Sequence, residues 1–246
     1  MTLLAALLAL AVGLSLGLLG GGGSILTVPI FRYALELGVK ESIGMSLGVV
    51  SLTSLVGALR HWHKGNLDVK ALIAFAPAAI ASTYIGAKLA HYVPGVVQLI
   101  ALGIVMLSAA YFMWRGQAVG RSGGQVADHS QLKIIGVGLG LGLLTGTVGV
   151  GGGFLIVPAL VLLLGLDMKQ AVGTSLGVIS LNAAAGFVGY LGQVTMDWVL
   201  MAGFTAVAIG GVFGGAALVP LVSQQKLRQG FALFLIVVAA YILIRR

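Results

Sequence analysis

A chain of 246 residues that is 59% hydrophobic and 8% charged, with a mean hydropathy of +1.10, has too few polar side chains to cover a water-soluble globule. Its net charge of +8 would suggest nucleic acid in a soluble protein, but the basic residues stand at the ends of apolar runs, where they anchor topology. Cysteine is absent, which excludes disulfides, thiolate metal sites and thiol catalysis.

The expected class is therefore an all-α integral membrane protein, since apolar runs of about 20 residues recur along nearly the whole length. The first run, at about 3 to 19, resembles a signal-peptide core but has no basic n-region, so it is read as retained structure rather than a cleaved leader. It ends in Gly20, Gly21, Gly22 and Gly23, followed by Ser24 and, five positions later, Pro29. Four consecutive glycines carry a large backbone-entropy cost unless the helix breaks there. Inside a bilayer such a break is tolerated only where protein or a water-filled cavity satisfies the freed amides and carbonyls.

Further apolar segments follow at about 24 to 37, 42 to 62, 69 to 91 and 95 to 114. A polar stretch over 115 to 131 has the length of a linker. The pattern then begins again, with segments at about 132 to 148, 153 to 166, 170 to 190, 197 to 219 and 227 to 244. Gly149, Gly151, Gly152 and Gly153 precede Pro158, which lies 129 positions after Pro29 (158 − 29). At this offset Lys40 matches Lys169, Ser46 to Val49 match Ser175 to Val178, and Ser51 and Leu52 match Ser180 and Leu181. Gly57 also matches Gly186, and Gly86 with Ala87 matches Gly215 with Ala216. The chain is an internal duplication. Its expected parts are a first membrane repeat over 1–115, a cytoplasmic linker over 116–131 and a second membrane repeat over 132–246.

Charge placement orients the halves. The stretch Arg60 to Lys70 is basic, whereas its counterpart, Gly189 to Asp197, has no lysine or arginine. Equivalent loops of opposite character face opposite sides, which predicts an inverted repeat with about five segments per half. The two segments of about 14 residues rise only about 21 Å, short of a hydrocarbon core of about 30 Å. The first two segments of each half are therefore expected to form a glycine-broken or re-entrant helix pair.

On the third segment of each half, Gly44, Gly48 and Ser51 share one face, with Gly173, Gly177 and Ser180 as their duplicates. That face reads as packing. The opposite face carries Ser46, Thr53 and Gly57, or Ser175, Asn182 and Gly186, and is expected to line a cavity. A hydroxyl at Thr53 could equally bond back to the preceding turn. All six carboxylates lie in loops or at helix ends, Asp68 and Asp197 as N-caps of the fourth segments. With no buried carboxylate, cation transport is disfavoured. Arg32 and Lys88 are read as anchors, and His61 and His63 as interfacial residues of the basic loop.

The order of these features, a glycine-rich break, an apolar stretch and proline, then Gly44 to Gly48 or Gly173 to Gly177, then Gly65 to Asp68 or Gly192 to Trp198, resembles the TauE/SafE family of sulfite and sulfonate exporters over essentially the whole chain. The resemblance implies a multi-pass transporter of small sulfur-containing anions or organosulfonates in a bacterial or archaeal inner membrane. Val150 interrupts the second glycine run, and Met45 stands where the other half has Thr174.

A helix that starts just after a glycine break points free amides and the positive end of its dipole at the membrane interior, a fitting site for an oxyanion. The candidate substrate-binding residues are Gly22, Gly23, Ser24, Ser46, Thr53, Gly151, Gly152, Gly153, Thr174, Ser175 and Asn182. Catalytic residues, metal and cofactor are not expected, and no His-Glu-x-x-His pattern marks an enzyme. The partners are a small anionic substrate and the lipid bilayer, with homodimerisation left open and nucleic acid excluded. An anion channel, or a permease for another small organic acid, is the alternative.

Overall fold

The computed structural model describes residues 3–90, 95–115, 135–136, 138–143, 153–162, 164–191 and 195–244. The linker at 116–131 and the second glycine run at 149–152 lie outside them. The fold is all-helical over the described residues. The first half contains α1 (Leu3–Leu19), α2 (Gly22–Pro29), α3 (Val39–His63), α4 (Val69–Ala90) and α5 (Gly95–Arg115). In the second half a helical piece at 138–143 is followed by α6 (Gly153–Leu162), α7 (Met168–Tyr190), α8 (Trp198–Leu218) and α9 (Gln224–Ile244). Among the described residues, three stretches are long and apolar enough to cross a membrane: Glu41–His63, Met168–Val188 and Trp198–Leu221.

Glycine chemistry shapes the start of the bundle. The last helical turn of α1 closes with the Gly20 amide on the Leu16 carbonyl (2.9 Å), and Gly20 then takes φ +73°, a left-handed turn that L side chains avoid. After Gly21 the chain re-enters helix and folds back, so that α2 packs on α1. A Cβ on Gly23 would meet the Leu16 side chain at 2.5 Å and the Val12 carbonyl at 2.6 Å, so only glycine allows this approach.

Past Pro29 the helix widens into a π turn, Ile30–Ala34, where the Leu35 amide reaches the Ile30 carbonyl (3.1 Å) and the Leu37 amide the Phe31 carbonyl (3.1 Å). The second half repeats this ending: Leu164 N donates to Ala159 O (3.3 Å) and Leu166 N to Leu160 O (3.0 Å). Gly165 takes φ +67° at this turn, and the duplicate position in the first half, Glu36, takes φ 57° without being glycine. Arg32 sits outside the core and donates to the Leu37 carbonyl (2.9 Å), in keeping with an anchoring role.

α1 and α8 lie side by side along a seam of small residues. Gly13 faces the Ala208 backbone, Gly17 faces Val212 and Ala216, and Gly211 and Gly215 receive the α1 backbone at Leu10, Leu14 and Leu18. Both helices thus carry a Gly-xxx-Gly pair, the spacing that lets membrane helices approach to backbone contact. Numbering rises together along the seam, so the two helices run parallel. Gly142 makes the equivalent approach to Ala79 and Ser82 of α4. The duplicates of Gly13 and Ala79 are Gly142 (13 + 129) and Ala208 (79 + 129), so this contact recurs with the halves exchanged.

α3 and α7 form the centre. Ser51 Oγ donates to the Ser180 carbonyl (3.3 Å) and Ser180 Oγ to the Ser51 carbonyl (3.1 Å), two residues separated by 129. A Cβ on Gly57 would meet Leu176 Cδ1 at 3.0 Å, and one on Gly186 would meet Leu47 Cδ1 at 3.1 Å. Leu47 lies opposite Gly186 and Gly57 opposite Leu176, so α3 and α7 run antiparallel. Phe31 and Phe204 close the core beside them, with ring centroids 4.8 Å apart.

α3 runs on through Arg60, His61 and His63, which places these residues on its last turns rather than in a loop. His61 is fully buried, with Nε2 3.3 Å from the Gly17 carbonyl, so it is a core residue and not an interfacial anchor. His63 is exposed and hydrogen-bonded to the Leu59 carbonyl (2.7 Å). Asp68 and Asp197 cap α4 and α8 as expected, each accepting an amide three residues on, from Ala71 and Leu200 (2.9 Å in both).

Candidate functional site

The first glycine break is built into an interface between the halves. α2 packs on α6, its counterpart in the second half, as well as on α3. A Cβ on Gly20 would lie 2.7 Å from Ser175 Oγ, 3.1 Å from Val157 Cγ2 and 3.3 Å from Val172 Cα. The turn from α1 into α2 is therefore seated on α6 and on the turn of α7 that bears Ser175.

Free donors gather at this turn. The amides of Gly21 and Gly23 have no hydrogen-bond acceptor among the described residues, as the opening turn of a helix requires. Gly21 itself gives no side-chain cap to α2. These amides carry the positive end of the α2 dipole, and no carboxylate lies in α1, α2 or α6 to neutralise it.

The sequence-predicted residues divide around this point. Gly22, Gly23 and Ser24 form the first turn of α2, and Ser175 of α7 lies against Gly20, just before that turn. Two of the hydroxyls are engaged within the chain: Ser24 Oγ donates to the Gly21 carbonyl (2.7 Å) and Ser175 Oγ to the Val172 carbonyl (2.8 Å). Ser46, the duplicate of Ser175, is buried and its hydroxyl has no partner among the described residues. Thr53 donates back to the Val49 carbonyl (2.7 Å) and the Val50 carbonyl (3.2 Å) of its own helix. Its duplicate Asn182 differs, because its amide oxygen is enclosed without a partner. Thr174 is fully buried and accepts the Asp68 amide (3.0 Å), which ties α7 to the start of α4. Gly153 opens α6, whereas Gly151 and Gly152 lie outside the described residues.

Sequence reasoning missed Gly20 and the side-chain donors at the end of α3. Gly20 is the left-handed residue that makes the turn; its place at the head of the glycine run was the available signal. Lys64 is half-buried and donates from Nζ to the Ala216 carbonyl in the last turn of α8 (2.9 Å). Its neighbour His61 does the same for the last turn of α1. The pattern His-x-x-Lys beside a helix end was visible, but its distant carbonyl partners were not.

Known proteins give these helices a context. The profile of the sulfite exporter TauE/SafE family matches residues 5–242. A chain from Xylella fastidiosa (strain Temecula1) named "Probable membrane transporter protein" is 31% identical over 248 residues, covering 95% of this chain and 92% of its own length. The "Probable membrane transporter protein YdhB" of Bacillus subtilis is 27% identical, covering 91% of each chain. An archaeal chain, "Probable membrane transporter protein MJ0441" of Methanocaldococcus jannaschii, is 27% identical over 89% of this chain and 84% of its own. No solved structure matches.

Proposed function

The chain belongs to the sulfite exporter TauE/SafE family of membrane transporters, and on that premise we propose that it carries a small sulfur-containing anion, sulfite or an organosulfonate, by alternating access. The observation that carries this reading is the α1–α2 turn, where unpaired amides at the positive end of a helix dipole are seated against the other half of the chain. Sulfite and sulfonate head groups offer several acceptor oxygens to such amides. Recognition by main-chain dipoles, with no fixed cation in α2 or α6, favours release as well as binding, because no ion pair has to be broken.

Alternating access needs two halves that can exchange conformations, and the proposal takes them to be an inverted repeat. The reading is supported by contacts that recur at an offset of 129 with the halves swapped, at Ser51 with Ser180 and at Gly57 with Leu176 against Gly186 with Leu47. A two-fold operation that superposes antiparallel helices such as α3 and α7 lies across them, in the plane of a membrane they would span. The buried, unpartnered amide oxygen of Asn182 is a second support. An enclosed polar atom without a partner costs about 1–3 kcal/mol, a cost that a second state or a bound ligand removes. On this reading the protein is a multi-pass protein of a bacterial or archaeal inner membrane.

The test is counterflow in proteoliposomes. Vesicles preloaded with sulfite should accumulate labelled sulfite above equilibrium, with saturable rates and competition from taurine or sulfoacetate but not from acetate. Flux without saturation or counterflow would replace the carrier with a channel. Accumulation of acetate in preference to every sulfur oxyanion would replace the substrate class.

A further inference from the structure

The end of α3 reaches two helix C-termini at once. Because α1 and α8 run parallel, their last turns lie at the same end of the seam, each presenting carbonyls that have no intrahelical donor. His61 Nε2 meets the Gly17 carbonyl of α1 at 3.3 Å, and Lys64 Nζ donates to the Ala216 carbonyl of α8 at 2.9 Å. The Lys64 ammonium is favoured by the dipole of the helix end it meets, and with the ring N–H of His61 it bridges separate helices. Arg60, one turn earlier, lies 5.8 Å over the Phe213 ring of α8 and adds to the same junction. This arrangement belongs to one half. The positions that duplicate His61 and Lys64 are Tyr190 (61 + 129) and Gln193 (64 + 129), neither of them a histidine or a lysine.

That asymmetry has a physical consequence in a duplicated carrier. Contacts present in both halves stabilise the two access states alike, whereas a contact present in one half stabilises only the state closed at its own end. We propose that His61 and Lys64 form a one-sided clamp, which holds the α1–α8 pair against the end of α3 and favours the state sealed there. The clamp rests on the alternating-access reading. It adds a bias between the two states and names the residues that set it.

The chain has no cysteine, so single-cysteine reporters need no further change to the background. Val212→Cys places one at the junction of α1, α3 and α8, where Val212 is fully buried against Gly17 and Gly57. Thr83→Cys places the other at the duplicate position (83 + 129 = 212), at the opposite end of the molecule if the halves are inverted. Alkylation by an aqueous maleimide is measured for each reporter in the full-length protein in proteoliposomes, with native Lys64, Lys64→Gln and Lys64→Arg.

Lys64→Gln should speed labelling at position 212 by about tenfold, the worth of one charge-assisted hydrogen bond, and slow it at position 83. Lys64→Arg keeps the charge and should leave both rates near those of native Lys64. Unchanged rates in Lys64→Gln, or faster labelling at 212 with none of the opposite change at 83, would overturn the clamp. Sulfite added to the native-Lys64 reporters tests the parent reading separately. If sulfite moves the two reporters in opposite senses while Lys64→Gln moves neither, the clamp falls and the carrier stands. If Lys64→Gln shifts them oppositely and sulfite does not, the clamp stands and the assigned cargo falls.

Discussion

Neighbouring glycines on α8 should respond to the same substitution with opposite signs. At Gly211 an added Cβ would lie 2.5 Å from the Leu10 carbonyl, 2.9 Å from the Leu14 amide and 3.0 Å from Gly13 Cα, all of them backbone atoms that no side-chain rotation can move away. Ordinary contact begins near 3.4 Å, so α1 and α8 must separate by roughly 1 Å along a seam that also holds Gly13, Gly17 and Gly215. Overpacking of this kind costs about 1–3 kcal/mol, offset by at most about 1 kcal/mol of helix propensity gained by alanine over glycine. Gly210 is the control one residue away, with nothing within 4 Å of its added Cβ. Gly211→Ala should therefore lower the melting midpoint by about 3–6 °C, while Gly210→Ala leaves it unchanged or raises it by up to about 3 °C, at about 2–4 °C per kcal/mol for a chain of this size. Intrinsic tryptophan fluorescence during a thermal ramp in detergent reads both, since the chain has three tryptophans. Equal shifts of the same sign at 210 and 211 would refute the close seam, and with it the parallel pairing of α1 with α8.

Three further outcomes follow from the same contacts. Glu36→Gly should stabilise the protein by up to about 1 kcal/mol and Gly165→Ala destabilise it by about 1 kcal/mol, because both positions hold a left-handed backbone and only the second has the residue suited to it; the same thermal ramp measures both. Asp197→Ala should cost about 1 kcal/mol through loss of the cap on Leu200 N, and Asp197→Asn much less, again as a melting shift. Ser46→Ala combined with Ser175→Ala should lower sulfite counterflow while changing stability by less than about 1 kcal/mol, since Ser175 gives up a bond to its own helix and Ser46 has none to lose. Native flux in that double variant would remove both hydroxyls from substrate handling.

Much of the helical layout was legible because the apolar runs end at residues with a clear local preference. The segments expected at 69 to 91 and 95 to 114 are α4, ending at Ala90, and α5, ending at Arg115. α1 ends at Leu19, next to the glycine run. The π turn after Pro29 was not, because it depends on how Leu35 and Leu37 find carbonyls five and six residues back. The stretch Arg60 to Lys64 read as loop because it is polar. In the fold its first four residues stay helical and His61 is buried, since the ends of α1 and α8 supply carbonyls that composition cannot reveal. Among the site residues, Ser175 lies against Gly20 at the turn into α2, whereas Thr174 is taken up by the Asp68 amide, a contact spanning 106 positions. Thr53 and Asn182 show the limit of reading by duplication: equivalent positions bear different chemistry, one hydroxyl satisfied within its helix and one amide oxygen left unpaired.

The paired serines at the crossing of α3 and α7 bear on ancestry. Each gives the other the bond it receives, so a polypeptide of half this length could make the same crossing with a second copy of itself, one serine meeting its twin. Joining the two copies end to end would leave that crossing intact. It would also free each position to drift, and two residues on from the serines the halves do differ, Thr53 in one and Asn182 in the other.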